Sequence, residues 1–445
     1  MRFSRPPLFC WLPTLCWLTV LPLSAELPIS VVLREGSIID GDAVVFRLED
    51  PKVNQAGEVG FFGIAQRGSL SDRFVWIDDG PVWFNSLGPG GFTSGEGAFG
   101  IGDGGQFVYP PTIDGQAALW TDRGLLAEAG AAAPGLPDAT LVGFSFLEMT
   151  ANDRIFWAAW VDPEGPASRD RALYRSTGPG APVDLLVNGA EPIDGTTIIR
   201  FIDLDASNGG DHYAAIALTD SGSVDTDLIL ILDGAFAGRE GELVTTTGES
   251  WERFQLVAVN DRGNLAVSGE LAGPEDRDDV ISLDNHIVLR EGDAIADRVL
   301  TAPALIKGLA LDNRGRMLHA WRSNGVETLY LAQDAGDPAN TSTALLSVGD
   351  RIDTDGDGAV DGAVTEFNFN WTTFRRLDLA EGDNVCVEVD LEGGNDDEAV
   401  LCIDVSSLGS SAAVLEIPTL SGAGLAALLG LVTLAGIGLL RRRAS

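Results

Sequence analysis

The sequence predicts an all-β fold, a seven-bladed β-propeller of four-stranded repeats of about 50 residues, followed by one C-terminal transmembrane helix. A turn pattern recurs seven times along the chain, and four short apolar runs accompany each copy. The 54 glycines and 21 prolines among 445 residues favour many turns, and therefore short strands over long helices. Residues 417–440 form a run of 24 residues without a charge, which is long enough for a membrane-spanning helix.

The turn that marks each repeat reads apolar-Asn-x-x-Gly-x-apolar-apolar. Glycine supplies the positive φ that a tight turn requires, and Asn or Asp bonds its own backbone. Apolar runs of four to eight residues between such turns are typical of strands. The clear copies contain Asn54 and Gly57, Gly105, Asn260 and Gly263, and Asp312 and Gly315, and degraded copies lie around Arg154, Gly209 and Asp383.

The phase of the strands predicts how the ring closes. The exported chain opens with a lone strand in residues 29–36 and ends after the third strand of the last repeat, residues 400–403. The first residues are therefore expected to supply the missing fourth strand, which removes two exposed edges. An open solenoid and a pair of β-sandwiches are the alternatives.

Two cysteines remain once the N-terminal segment is set aside. Cys386 and Cys402 lie symmetrically about Gly394 in two apolar strand patterns, so an antiparallel hairpin places them opposite each other. An oxidising compartment then favours a cross-strand disulfide. Two buried thiols are the alternative.

The two ends of the chain predict its compartment. Residues 1–25 have the positive start, apolar stretch and small-residue cleavage site of a signal peptide, with Arg2 and Arg5 at the start. The predicted repeat domain covers residues 26–405, and residues 406–416 form a linker. The arginines after the uncharged segment should stay cytoplasmic, which places the rest of the chain outside.

The C-terminal tail, residues 417–445, resembles the IPTL-CTERM sorting domain, a relative of the PEP-CTERM signals of Gram-negative bacteria. The resemblance implies an exosortase-type membrane enzyme as processing partner. It also implies a protein held in the inner membrane before processing and then displayed at the cell surface or released. The matching residues are Ile417, Pro418, Thr419 and Leu420, a Gly/Leu-rich span, and Arg441, Arg442 and Arg443.

The repeats resemble those of bacterial surface proteins described as choice-of-anchor, tandem-repeat and NxxGxxAF-containing. The best matches are Asn54, Gly57 and Phe61 in the first repeat and Asn260, Gly263 and Ala266 in the fifth. That family implies no enzymatic activity, and it pairs the repeat with varied C-terminal anchors.

Charge excludes one class of partner. The chain has 29 Lys and Arg against 66 Asp and Glu, a net charge of −37, and its only lysines are Lys52 and Lys307. Nucleic acid is not expected as a partner, because binding phosphates needs clustered cations. A polyanionic polysaccharide would need divalent cations as bridges.

The strongest metal-ligand pattern is an acidic loop at residues 353–361. Carboxylates stand at loop positions 1, 3, 5 and 9, with glycine at position 6, which resembles a calcium-binding loop. Position 12, normally a glutamate, is Val364. The prediction is a structural calcium site, with a solvated acidic turn as the alternative. The proposed ligands are Asp353, Asp355, Asp357 and Asp361.

Sequence motifs for catalysis are weak. There is no G-x-S-x-G or H-E-x-x-H motif, and the three histidines fall in or beside strands. No catalytic residue or organic cofactor is predicted. The expected function is a non-catalytic binding or scaffold protein of the envelope or extracellular matrix, with exopolysaccharide as a candidate ligand. The alternatives are a carbohydrate-active enzyme that uses two acidic residues and a purely structural matrix protein.

Overall fold

A computed structural model describes residues 27–87, 92–93, 98–163, 170–223, 226–244, 247–353, 359–360, 362–368, 379, 382–392 and 397–409. Seven antiparallel sheets follow one another along the chain, and each forms one blade of a propeller. The predicted seven-bladed architecture is confirmed. We number the blades 1 to 7 in chain order, and the strands of each run from the inside of the ring outwards.

Five blades follow the regular pattern of four sequential antiparallel strands. Their strands are Ala43–Val53, Val59–Arg67, Leu70–Ile77 and Gly80–Phe84 in blade 1; Ala139–Met149, Ile155–Pro163, Asp170–Ser176 and Asp184–Asn188 in blade 3; Ile198–Ala206, Tyr213–Thr219, Leu228–Leu232 and Ala235–Arg239 in blade 4; Trp251–Val259, Leu265–Leu271, Asp279–Leu283 and His286–Arg290 in blade 5; and Ala304–Leu311, Met317–Ser323, Val326–Ala332 and Ser342–Ser347 in blade 6.

Blade 2 departs from this pattern because its inner part is short. Its inner strand has only two residues and its second strand only three. A short ribbon pairs with the start of the third strand. The strands are Gly100–Ile101, Phe107–Tyr109, Gln116–Thr121 and Gly124–Glu128, with Phe92–Thr93 and Thr112–Ile113 as the ribbon.

Blade 7 combines the two ends of the ring. Its first three strands, Gly362–Phe367, Asn384–Leu391 and Glu398–Asp404, come from the end of the described chain. The fourth is Ile29–Arg34, which pairs antiparallel with Glu398–Asp404. The predicted closure is confirmed. Each of the two terminal strands pairs with an edge that the other would otherwise leave exposed.

Short elements link each outer strand to the next inner strand. The link into blade 1 contains Ile38–Ile39, the link into blade 6 contains the ribbon Ala294–Ile295 and Arg298–Val299, and the link into blade 7 contains Arg351–Ile352. Three short helical segments, Asn85–Leu87, Pro338–Thr341 and Ser406–Gly409, lie outside the strands. Within the described residues, which end at residue 409, no helix has the length and hydropathy to cross a membrane. The predicted transmembrane segment, residues 417–440, lies outside them.

The core is divided among the blade interfaces. The described residues contain seven clusters of buried apolar side chains, and each cluster joins two neighbouring blades. The second strand of blade 4 shows why. Tyr213, Ala215 and Ala217 pack toward blade 3, whereas Ala214 and Ile216 pack toward blade 5. Because both faces of a blade are buried, the second strands read as continuous apolar runs without polar alternation.

Candidate functional site

The recurring turn closes the inner strand of six blades with a shared hydrogen bond, in which the N–H of the fourth turn residue donates to the carbonyl of the first. In blade 5, the Asn260 N–H donates to the Asn264 carbonyl at 3.3 Å, and the Gly263 N–H donates to the Asn260 carbonyl at 2.9 Å. The fourth turn residue has a positive φ, which is 74° at Gly263. The six turns begin at Asn54, Gly102, Thr150, Ser207, Asn260 and Asp312.

Side chains of these turns join one blade to the next. Asn54 Nδ2 donates to the carbonyl of Gly102, and Asn260 Nδ2 donates to the carbonyl of Asp312, at 2.9 and 3.1 Å. In blade 6, Arg316 donates to the carbonyl of Gly382 in blade 7 at 2.9 Å. The turn motif therefore does more than reverse the chain, because side chains of the turns in blades 1, 5 and 6 reach the next blade at one end of the channel. We call this end the turn end.

Two of the degraded turns lie one residue away from their predicted positions. The residue with positive φ is Asp153 rather than Arg154 in blade 3, and Gly210 rather than Gly209 in blade 4, with φ of 60° and 67°. Blade 3 has no glycine at this point, and aspartate tolerates the left-handed region better than most residues. Blade 4 offers two successive glycines, and only the backbone geometry decides between them.

Buried and partly buried carboxylates accept the inner-strand N–H groups of the following blade. Asp203 of blade 4 accepts from Val257 at 2.8 Å, and Glu398 of blade 7 accepts from Leu48 at 2.7 Å. Glu291 and Glu327 do the same for blades 6 and 7. An inner-strand N–H that faces away from its own sheet has no ladder partner, and an unpaired buried N–H is costly. Part of the acidic excess therefore has a structural role.

Both lysines of the chain lie on inner strands and are buried in ion pairs. Lys52 Nζ is 3.7 Å from Glu148 Oε2, and Lys307 Nζ is 3.6 Å from Glu327 Oε1. Arg322 approaches the same Glu327 oxygen at 2.9 Å. Burial lowers the pKa of Lys307, while the Glu327 carboxylate opposes that effect. These positive charges stabilise the interior of the ring.

The turn end of the channel holds a cavity of about 50 Å³, whose walls include Lys52, Glu148 and Asp205. One water molecule occupies about 30 Å³ of liquid, so this cavity has room for water but not for a sugar ring. The Asp205 carboxylate accepts the Val259 N–H at 2.6 Å. Glu148 and Asp205 thus both contact groups of the fold.

A second cavity, of about 450 Å³, lies at the seam between blades 7 and 1. Its walls include Ser30, Trp76, Asp78 and Cys402. Pro28 and Ile29, at the start of the described chain, also line it.

The opposite end of the channel, where the inner strands begin, exposes apolar side chains. Phe46 is 57% exposed, Val142 48%, Ile199 46% and Val44 40%. These four residues lie near the starts of the inner strands of blades 1, 3 and 4, at the end of the ring opposite the turn end. We call these four residues the mouth surface. The side chains of Arg200, Glu252 and Arg253, on the same parts of the inner strands, are exposed as well.

This combination of apolar, cationic and anionic side chains suits ligand binding. An aromatic ring and aliphatic groups offer a surface for the apolar face of a ligand, and the charged groups beside them offer hydrogen bonds. The sequence analysis did not single out these residues. What distinguishes these residues is that their apolar side chains are exposed within a strand, and a sequence does not show which strand residues are exposed.

The histidines occupy structural positions. His319 is fully buried, where Trp321 Nε1 donates to its Nδ1 at 3.1 Å and its Nε2 lies 3.1 Å from Ser342 Oγ. Burial lowers the pKa of His319 to about 3. His212 Nδ1 lies 2.8 Å from Asp233 Oδ2 in the turn after the third strand of blade 4.

The other predicted site residues fall in two groups. Cys386 and Cys402 are cross-strand partners in blade 7, and a disulfide joins them. Of the predicted calcium ligands, only Asp353 belongs to the described residues; Asp355, Asp357 and Asp361 lie outside them. The sorting motif at 417–420 and 441–443 also lies outside them. Ile352 pairs with Gly362, so the two short strands that flank residues 353–361 lie side by side.

One acidic cluster was missed by the sequence analysis. Asp278, Asp279 and Glu291 of blade 5 bring carboxylate oxygens within 4.8 Å of one another. Burial is the largest cause of a raised pKa at both Asp279 and Glu291, and it brings the pKa of Asp279 to about 8. The sequence signal was the Arg-Glu-Gly marker, which recurs at 34–36, 239–241 and 290–292.

Comparisons with known proteins provide distant likeness only. No family model and no curated protein matches the chain. Among solved structures, the β-propeller domain of Cps50 (Swd1) from Myceliophteria thermophila is 10% identical, with a TM-score of 0.40, over 82% of this chain and 99% of that one.

Two further similar structures are enzymes by their descriptions. The acylaminoacyl peptidase of Pyrococcus horikoshii is 11% identical, with a TM-score of 0.44, over 82% of this chain. The chain spans about half of that peptidase, 52% of its length. The α-L-arabinanase of Penicillium chrysogenum, complexed with arabinobiose, is 13% identical, with a TM-score of 0.34, over 85% of this chain and 98% of that one.

Proposed function

We propose that this protein is an exported, surface-targeted binding or scaffold protein of the cell envelope or extracellular matrix, and that it has no catalytic activity. The observation that carries the proposal is the mouth surface, where four apolar inner-strand side chains remain exposed at one end of a closed ring. Exposed apolar surface marks interaction sites, and all four residues lie at the same end of the ring.

The contacts of the inner-strand carboxylates favour binding over glycoside hydrolysis. A glycosidase needs one carboxyl group to donate a proton and a second to act as base or nucleophile. Glu148 instead pairs with Lys52, and Asp203 and Asp205 accept backbone N–H groups of blade 5. These contacts hold the three carboxylates in structural roles.

The proposed ligand is a polysaccharide, namely the exopolysaccharide of the producing bacterium. Phe46, with 57% of its surface exposed, provides an aromatic ring for stacking on a sugar, and Arg200 and Arg253 provide hydrogen-bond donors for its hydroxyl or acidic groups. The net negative charge of the chain makes binding to an acidic polysaccharide dependent on divalent cations.

The test is binding of the purified full chain to that exopolysaccharide, with calcium and with chelator, while released sugar is monitored. Phe46→Ala should weaken binding at least about tenfold, the loss expected for an interaction of roughly 1.4 kcal/mol. Leu70→Ala is the matched control, because Leu70 is 73% exposed but lies at the turn between the second and third strands of blade 1. Release of oligosaccharide would establish the enzyme alternative, and equal binding by both variants would remove the mouth surface from the proposal.

Sorting through the tail is a separate part of the proposal. The resemblance of residues 417–420 and 441–443 to an IPTL-CTERM signal supports processing by an exosortase-type enzyme. In the native bacterium, Pro418→Ala should leave full-length protein in the membrane fraction. A matched change at Pro338, outside the tail, should not alter its location. Unchanged release of the Pro418 variant would argue against recognition of the motif.

A structural calcium ion in the loop at residues 353–361 also belongs to the proposal. Pairing of Arg351 and Ile352 with Ala363 and Gly362 supports it, because the paired strands hold both ends of the acidic loop together. Calcium takes six to eight oxygen ligands, which closely spaced carboxylates provide. Asp353→Asn should then weaken calcium binding to the full chain.

A further inference from the structure

Three carboxylates converge on the outer side of blade 5. Asp278 precedes the third strand, Asp279 begins it, and Glu291 follows the fourth strand. The Glu291 N–H donates to the Asp279 carbonyl at 2.9 Å, which fixes the two backbones side by side. One carboxylate oxygen from each residue lies within 4.8 Å of the others. Two oxygens that each lie about 2.4 Å from one calcium ion are at most about 4.8 Å apart.

The two inner carboxylates of this cluster are buried with oxygens that lack a hydrogen-bond partner. Asp279 is 6% exposed and Glu291 is 1% exposed. Asp279 Oδ1 and Glu291 Oε2 have no partner, whereas Glu291 Oε1 accepts the Ala304 N–H at 2.7 Å. A buried charged group without compensation is strongly unfavourable, so these oxygens require a proton or a cation.

No basic side chain neutralises this cluster among the described residues. None of the ion pairs between described residues includes Asp278, Asp279 or Glu291, and the charge with the largest effect on Asp279 is another carboxylate, Glu270. The arginines on either side, Arg277 and Arg290, act on Glu249 instead, and Arg290 Nη2 pairs with it at 2.8 Å.

Other blades neutralise the acidic groups at the equivalent positions. In blade 6, Glu327 occupies the place of Asp279: the Glu327 carbonyl accepts the Val348 N–H, just as the Asp279 carbonyl accepts the Glu291 N–H. Lys307 and Arg322 contact the Glu327 carboxylate. In blade 7, Asp397 occupies the place of Asp278, and Arg34 pairs with it at 2.8 Å. Blade 5 alone among these three has the acids without the cation.

We propose that Asp278, Asp279 and Glu291 bind a calcium ion that takes the place of the missing basic side chain. The donors are all carboxylate oxygens, the ligands that hard divalent cations prefer. Asp278 is partly exposed, so it provides the side from which the ion enters and from which water completes its coordination. Calcium suits the site better than magnesium, because it accepts irregular coordination at longer distances.

Blade 4 provides a natural comparison. Asp227 and Glu240 correspond to Asp278 and Glu291, since the Glu240 N–H donates to the Leu228 carbonyl at 3.1 Å. Leu228 stands where blade 5 has Asp279. Glu240 Oε2 accepts the Leu228 N–H at 3.0 Å, so in this two-carboxylate arrangement one acid binds the third strand of its own blade. Blade 5 thus differs from blade 4 by its third carboxylate. It differs from blade 7, where Glu398 and Glu35 occupy the places of Asp279 and Glu291, because there Arg34 supplies a cation and in blade 5 no basic side chain of the described residues does.

The test is calorimetric titration of the metal-free full chain with calcium chloride alone. The wild type should bind one more ion per chain than Asp279→Leu, and Glu240→Gln, the matched change in blade 4, should bind as many ions as the wild type. Asp353→Asn separates this site from the loop at 353–361, because it should leave the blade 5 ion in place. Equal stoichiometry in the wild type and Asp279→Leu would overturn the proposal, as would the absence of calcium binding by Asp353→Asn.

Folding of the variants does not obscure the result. Leucine already occupies the equivalent position in blade 4, and Asp279→Leu removes a buried carboxylate, so this variant should unfold in chelator at the same temperature as the wild type or higher. Calcium should raise the unfolding midpoint of Asp353→Asn but not that of Asp279→Leu combined with Asp353→Asn. Glu291→Gln is a second variant, and it keeps an oxygen for the Ala304 N–H. Calcium binding by Glu291→Gln at wild-type affinity, or a titration in which magnesium binds and calcium does not, would contradict the assignment.

Discussion

Lys52 Nζ in blade 1 lies 3.7 Å from Glu148 Oε2 in blade 3, so an ion pair joins two blades that are not neighbours in the ring. Blade 2 makes this possible because its inner strand is only Gly100–Ile101. A Cβ atom on Gly100 would lie 2.7 Å from the Cβ of Met149, so this strand leaves no room for a side chain there. The short, glycine-containing strand lets Lys52 reach past it.

Disruption of this ion pair should destabilise the ring. The side chains of Lys52 and Glu148 are only 8% and 16% exposed, so Lys52→Met leaves a poorly solvated carboxylate. We expect a loss of about 3 kcal/mol in the free energy of unfolding, measured by denaturant titration, and partial recovery in Lys52→Met combined with Glu148→Gln. The surface pair of Arg67 and Asp40 is the control, and Arg67→Gln should cost less than about 1 kcal/mol. Equal losses from both single changes would show that the central pair is no more important than a surface one.

Removal of a turn side chain should weaken the contact between two blades. Asn260 is buried, its Oδ1 accepts the N–H groups of Arg262 and Asn264, and its Nδ2 donates to Asp312. Asn260→Ala leaves these groups without partners and should cost about 2–3 kcal/mol in the free energy of unfolding. Asn152→Ala removes an exposed turn side chain that donates to the Gly209 carbonyl of the next blade, and it should cost less than about 1 kcal/mol. A neutral Asn260→Ala would contradict the linking role of the turns.

The disulfide should contribute measurably to stability. Cys386 and Cys402 are 16 residues apart, and closing a loop of about 15 residues is associated with roughly 3 kcal/mol. The double change to alanine should lower the free energy of unfolding by up to about that amount. A reducing agent should lower the unfolding midpoint of the wild type but not that of the double variant. Identical midpoints in all four samples would show that the disulfide adds nothing to the hairpin.

His319 should make stability fall in mild acid. Burial lowers its pKa from 6.5 to about 3 in the folded chain. Between those values the unfolded chain binds a proton that the folded chain does not, so the free energy of unfolding falls as pH drops from about 6.5 toward 3, by about 1.4 kcal/mol per pH unit from this residue. Denaturant titrations of His319→Gln should show a correspondingly weaker dependence on pH. His286→Gln changes an exposed histidine and should follow the wild type.

The sequence anticipated what depends on local pattern. The blade number followed from the recurrence of turns such as 54–57 and 260–263, and the closure followed from the phase of Ile29–Arg34 against the last repeat. Both follow from the spacing of the turns and the order of the strands, which can be read from the residue types along the chain. The turns of blades 3 and 4 were misplaced by one residue, because Asp153 and two adjacent glycines carry no unique turn signal.

The candidate sites were less accessible to sequence reasoning. The exposure of Phe46 and the burial of Asp279 depend on where each residue lies relative to neighbouring blades, and both residues occur in ordinary strand patterns. The marker containing Glu291 was visible as a repeat, but its chemistry depends on Asp279, twelve residues earlier in the chain and adjacent only after the hairpin forms.

The sequence by itself determined the all-β repeat architecture, the number of blades and the strand that closes the ring, because hydrophobic period, turn residues and strand order act locally. The tertiary structure alone decided which charges meet. Lys52 reaches Glu148 across a blade, Lys307 and Arg322 neutralise Glu327, and three carboxylates of blade 5 come together without a cation. Electrostatic partners are set by distances in space, and the circular arrangement of blades brings together residues that are far apart in the chain.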